Sequence, residues 1–95
     1  MAQLTTLQQT RIDHDLDHAF REWGRLPDVE AALDDWPEDE ALTFVYEWAL
    51  EEDRLRRLAG HAERQELTPH QQKRYQDLLA LVGRHRPIVN RLIDG

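Results

Sequence analysis

The 95-residue chain contains no cysteine and no serine, and it has only four glycines and four prolines. Without cysteine it can form neither a disulfide nor a thiolate, which favours a reducing cytoplasm. Serine and cysteine are also the usual nucleophiles of hydrolytic triads, so such a triad is not expected. A glycine-rich phosphate loop is missing as well, which argues against Walker or Rossmann nucleotide binding. We therefore predict a protein that is not an enzyme and that needs no cofactor.

Long hydrophobic runs are also missing. No stretch approaches the roughly 20 apolar residues that a membrane-spanning helix needs. The N-terminal segment MAQLTTLQQTRIDHD has neither a basic start nor an apolar run, so a signal peptide is not expected. Hydrophobic residues make up 40% of the chain and charged residues 33%, which is enough apolar material for a small core. We predict a single cytoplasmic domain over residues 1–95 that does not contact a membrane.

Charge is distributed unevenly along the chain, although the total is only −7. Residues 1–53 carry fifteen acids and three bases, whereas residues 54–95 carry four acids and nine bases. The first half is therefore acidic, with a net charge of −12, and the second half is basic, with +5. Two interpretations are open. The halves neutralise each other within a molecule or between copies, or the acidic half meets a basic partner.

Apolar residues recur every three or four positions along most of the chain, which predicts an all-α fold. We expect a first helix from Thr6 to Trp23, a short second helix over PDVEAALDD and a third helix over 37–63. The third helix has a proline and then three acids at its start, which suits the positive end of a helix dipole. Its segment TFVYEW also has strand propensity, but the flanks are helical and no second strand is available to pair with it.

The fourth helix is predicted to begin at Pro69, because Thr68 is a good N-cap and Gln71 completes a capping box. Pro87 stands four residues after Gly83 and cannot donate to the Gly83 carbonyl, so we expect a kink or break there and a last short helix beyond it. The predicted architecture is a small bundle of four to five helices around a helical hairpin formed by 37–63 and 69–94.

A pair of histidines in IDHDLDHAF raises the question of a metal site. His14 and His18 are four residues apart, so they could share one ion, and Asp17 could reach the same point. A closed zinc site needs four ligands, and a second copy of the chain could supply the rest. The simpler interpretation is a solvated helix face, because both histidines lie opposite the apolar stripe of the first helix. We expect the simpler interpretation and keep metal binding as an alternative.

The basic half suggests a second alternative, nucleic-acid binding. Phosphate contacts need several positive charges on one face. The acidic half would repel a nucleic acid, and no helix-turn-helix signature is present. The candidate residues are Arg54, Arg57, Arg64, Arg84 and Arg91.

Residues 41–50, ALTFVYEWAL, are apolar around the whole helix, so the side that faces away from the bundle core must also be covered. The cover is either the neighbouring short helices or a second molecule. Large aromatic residues are common anchors of interfaces, and nearby acids can steer a basic partner. The predicted partner-binding residues are Trp36, Phe44, Tyr46, Trp48, Asp34, Asp35, Glu38, Asp39 and Glu40.

These observations predict a non-catalytic regulatory protein that binds another protein, and a homodimer is a further expectation. Antitoxins, immunity proteins, phage-encoded inhibitors and adaptor subunits have similar size and charge. The likeness is one of composition and not of sequence, so it indicates a class of function and no particular family.

Overall fold

The computed structural model describes residues 5–94, and within this range the chain is all-α. Three long helices form most of it, namely α1 (Thr6–Gly24), α3 (Glu38–Glu63) and α4 (Pro69–Asp94). A seven-residue helix, α2 (Leu26–Ala32), and a 3-10 turn at Leu33–Asp35 join α1 to α3. The all-α prediction is confirmed, and TFVYEW is helical. The expected number of helices, four to five, differs from the three long helices observed.

The helix ends follow local capping chemistry. At the start of α4, the Gln71 N–H donates to the Thr68 hydroxyl at 3.1 Å, and the Thr68 N–H donates to the Gln71 side chain at 3.0 Å. This is the predicted capping box. At the end of α3, the Glu66 N–H donates to the His61 carbonyl and the Gln65 N–H to the Ala62 carbonyl. Gln65 has a φ of 58°, so the turn is a Schellman motif with glutamine where glycine is usual.

The sequence predicts a kink or break near Pro87, but helix α4 does not end there. It continues to Asp94, so the expected last short helix is the C-terminal part of α4. Gly83 and Pro87 lie on the exposed side, where solvent can hydrogen-bond the carbonyl that proline leaves free. On the other side, Ile88 and Val89 are buried in the core, and this packing holds the last turns in helical form.

Helix α1 is the centre of the packing. Its stripe of Ile12, Leu16, Ala19 and Trp23 is almost completely buried, because α1 lies against both α4 and α3. Helices α3 and α4 contact each other over a smaller area. The prediction of a bundle around an α3–α4 hairpin is therefore not confirmed, since the apolar stripe of α1 occupies the space that such a hairpin would close.

The molecule is long and thin, with extents of 47 × 23 × 18 Å. A helix with its side chains is about 10 Å across, so the shortest dimension holds only two layers of helices. Each long helix therefore keeps one side toward solvent. No helix in residues 5–94 combines the length and the apolar character that crossing a membrane requires.

Candidate functional site

The four predicted anchor aromatics have different environments. Trp48 and Phe44 are core residues, with exposures of 2% and 9%. Trp36 is half-buried and packs edge-on against Phe44, with ring centroids 5.8 Å apart. Tyr46 is 76% exposed. Of these aromatics, Tyr46 is therefore the one that offers most of its surface to a partner.

Tyr46 belongs to a row of exposed apolar side chains on α3. Leu42 is 50% exposed and Leu50 is 62% exposed. Because these residues are four apart, they lie within about 40° of Tyr46 around the helix. Phe44 and Trp48 are about 160° from Tyr46, on the opposite side. We call Leu42, Tyr46 and Leu50 the apolar ridge. It lies on the outer side of α3, which residues 5–94 leave largely exposed, and its C-terminal member Leu50 also borders the groove between α1 and α3.

The predicted acidic residues lie in the first turn of α3 and in the 3-10 turn that precedes it. All five are exposed, and within residues 5–94 none of them forms an ion pair. The first turn of α3 holds three of them, where the helix dipole favours negative charge. They are Asp34, Asp35, Glu38, Asp39 and Glu40. This end of the molecule therefore carries negative charge that the chain itself leaves uncompensated.

Three acids of α1 and α2 behave differently, because arginines of the basic half form ion pairs with them. Asp15 pairs with Arg54 at 3.2 Å, and Glu30 pairs with Arg91 at 2.7 Å. The hydrogen bond from the Arg91 guanidinium lowers the pKa of Glu30. Further pairs link the halves at Asp17–Arg74 and Glu52–Arg86. Ion pairs within one molecule therefore neutralise much of the positive charge of residues 54–95, as the intramolecular interpretation of the charge asymmetry predicts.

This neutralisation also affects the residues considered for nucleic-acid binding. Arg54 and Arg57 both contact Asp15, Arg91 is held by Glu30, and Arg64 pairs with Glu66. The His61 and Arg64 side chains lower the pKa of the Glu66 carboxyl by hydrogen bonding to it. Arg84 is exposed on α4 and has no ion pair within residues 5–94. The five arginines do not combine into one surface of free positive charge.

The histidines of α1 separate in the structure. His14 is exposed, and Asp17 is held by Arg74. His18 instead turns toward α3, where its Nε2 lies 3.0 Å from the Glu51 carboxylate. The Arg21 guanidinium lies 3.1 Å from His18 Nδ1. A neutral imidazole protonated on Nε2 satisfies both contacts, because Nδ1 then accepts from Arg21 and Nε2 donates to Glu51.

Three groups at this point could hold a metal ion. Donor atoms of His18, Glu22 and Glu51 lie within 4.8 Å of one another, and they line one side of a groove of about 340 Å³ between α1 and α3. The Arg54 guanidinium, however, already donates to both Glu51 oxygens, at 2.9 and 3.1 Å. A metal would have to displace Arg54 from the Glu51 carboxylate, so the arrangement favours a salt-bridged network.

Sequence reasoning missed Glu51, which is 33 residues from His18. A signal was nevertheless present. Glu51 falls on the same three- and four-residue spacing as Phe44, Trp48 and Leu58, so it occupies a core-facing position of α3 and is 7% exposed. A carboxylate in such a position needs a partner, and the partner had to come from another helix or from a basic neighbour one turn away.

Comparison with known proteins adds no relative: no family model, no curated protein and no solved structure matches this chain. The function must therefore be inferred from the residues and their arrangement.

Proposed function

We propose that this chain is a non-catalytic protein-binding protein of regulatory or adaptor type, and that its contact surface is the outer side of α3. The apolar ridge would supply affinity, and the exposed acids at the N-terminal end of α3 would steer the encounter. The observation that carries the proposal is the alignment of Leu42, Tyr46 and Leu50, each at least half exposed, on the side opposite the core.

The proposal is supported by the rarity of such rows on monomeric proteins. Single exposed leucines are ordinary, whereas adjoining large apolar residues are typical of interaction sites. Tyrosine is also enriched among residues that dominate binding energy. An inhibitor or antitoxin-like mechanism fits this surface, with the α3 face covering a functional surface of the partner. The absence of cysteine supports the cytoplasm as the place of action.

The experiment is site-specific photo-crosslinking in the source cells. A benzophenone amino acid replaces Tyr46 in one variant and Leu79 in a matched control, since Leu79 is an exposed apolar residue on α4. We expect one dominant adduct from position 46 and none from position 79. The purified partner should then bind the Tyr46→Ala variant at least about tenfold more weakly than wild type, with Leu79→Ala unchanged.

Equal labelling from both positions, or none from position 46, would refute the proposal. Partner binding that Tyr46→Ala and Leu50→Ala leave intact would refute it as well, because the ridge would then contribute nothing to the contact.

A further inference from the structure

The outer side of α3 carries charges of both signs, arranged about the apolar ridge. Glu38 and Asp39 precede the ridge, and Arg56 and Arg57 follow it. All four are exposed. Arg56 contacts Asp53 one turn away, and Arg57 is 3.6 Å from Asp15, so both guanidiniums remain more than half exposed. Within residues 5–94, the face therefore carries unpaired acids at its N-terminal end, whereas the bases at its C-terminal end lie beside the acids Asp53 and Asp15.

The spacing of these residues is symmetric. Asp39 and Arg57 each lie nine residues from Trp48, and Tyr46 and Leu50 each lie two residues from it. Angular positions agree as well, at 100° per residue. Asp39 and Arg57 both lie about 20° to one side of Tyr46, and Glu38 and Arg56 both lie about 80° to the other side. A twofold axis beside α3 at the level of Trp48 therefore places Asp39 of one copy opposite Arg57 of the other, and it places Glu38 about 3 Å along the helix from the level of Arg56.

We infer that the outer side of α3 binds the same side of a second copy of this chain, with the two α3 helices antiparallel. The inference rests on the proposed function, because it uses the same contact surface, and it names a second copy in place of a foreign protein as the partner on that surface. In this dimer Tyr46 packs against Leu50 of the second copy, and Asp39 faces its Arg57. Because a twofold axis repeats every contact, each pair occurs twice.

A second copy fits this face better than a foreign basic protein does. A basic surface that complements Glu38 and Asp39 would gain no further attraction at the other end of the ridge, where Arg56 and Arg57 lie beside Asp53 and Asp15. An antiparallel copy matches both ends. The segment from 39 to 57 is about 27 Å long, so the two antiparallel helices would lie side by side over most of the length of α3.

The test measures the mass of the full-length chain by sedimentation equilibrium over a range of concentrations. We expect wild type to approach twice the 11.3 kDa chain mass. Asp39→Arg and Arg57→Glu should each raise the dimer dissociation constant at least about tenfold, because each places like charges opposite each other twice. The double variant with both changes should recover the wild-type dissociation constant, since it exchanges the signs across the interface.

Arg84→Glu is the control, because it reverses an exposed arginine on α4 and should leave the dissociation constant unchanged. Circular dichroism of each variant checks that α3 remains folded. A dimer whose dissociation constant is not restored in the double variant would overturn the antiparallel arrangement. A chain that stays monomeric at all concentrations would overturn the inference. Crosslinking of a foreign protein at position 46 would in that case still support the proposed function, so the two failures are distinguishable.

Discussion

The two sides of helix α3 are both rich in apolar residues, yet their surroundings are opposite. On the inner side, Trp48 meets Trp23 edge-on at a centroid distance of 5.0 Å, and the Glu51 carboxylate is bonded to His18 and Arg54. On the outer side, Tyr46 is largely exposed. Apolar character alone therefore does not separate a core position from a contact position, and the position of α1 makes the distinction.

The largest expected difference in folding stability is between alanine variants of Trp48, on the inner side of α3, and Tyr46, on the outer side. Trp48→Ala should lower the free energy of unfolding by about 3–5 kcal/mol, because it leaves a cavity beside Trp23. Tyr46→Ala should change it by no more than about 0.5 kcal/mol in the monomer, because little of its surface is buried. Urea denaturation, followed by circular dichroism at a concentration where wild type is monomeric, measures both. Similar losses for the two variants would show that the sides of α3 are not distinct.

A smaller effect on folding stability is expected from replacing a buried and an exposed acidic residue of α3 by their amides. Glu51→Gln should lower the free energy of unfolding by about 1–3 kcal/mol, because the buried amide replaces a charge bonded to Arg54 and His18. Asp53→Asn is the matched control, since Asp53 and its partner Arg56 are both exposed, and its effect should stay within about 0.5 kcal/mol. Thermal or urea unfolding of both variants gives the comparison. A loss for Asp53→Asn as large as that for Glu51→Gln would contradict it.

The smallest effect concerns the acids that the basic half neutralises. Arg91 lowers the pKa of Glu30 in the folded chain below its ordinary value of 4.5. This pair therefore contributes stability above pH 4.5, and the contribution is lost as the pH falls through the folded-state pKa. Glu30→Gln should make the decline of stability in this acid range less steep.

The matched variant for this prediction is Arg91→Gln, because it removes the other partner of the same pair. Added to Arg91→Gln, the Glu30 change should have no further effect on the slope. Urea midpoints measured from pH 6 to pH 3 provide the test. An unchanged slope in both single variants would mean that the pair contributes nothing to folding stability.

Periodicity predicted the helical class and α1, and helical flanks with start signals predicted α3, whereas the uninterrupted length of α4 was not predicted. Capping chemistry at Thr68 located the start of α4, because that signal depends on neighbours in sequence. The expected break at Pro87, with a separate last helix beyond it, was wrong, since burial of Ile88 and Val89 outweighs one missing hydrogen bond. Hydrophobicity could not show which of the predicted aromatics are exposed, because the helix is apolar all round; the structure buries Trp48 and Phe44 and exposes Tyr46.

The sequence by itself determined which segments are helical and where most of them begin and end, because these depend on spacing and on groups a few residues apart. It also determined the asymmetry of charge. Only the tertiary structure decided which acids are neutralised. It also decided that His18, and not His14, contacts Glu51, and that Tyr46 is exposed whereas Trp48 is buried. Each of these depends on which side of α3 and α4 lies against α1, and that is decided by packing between residues far apart in the chain.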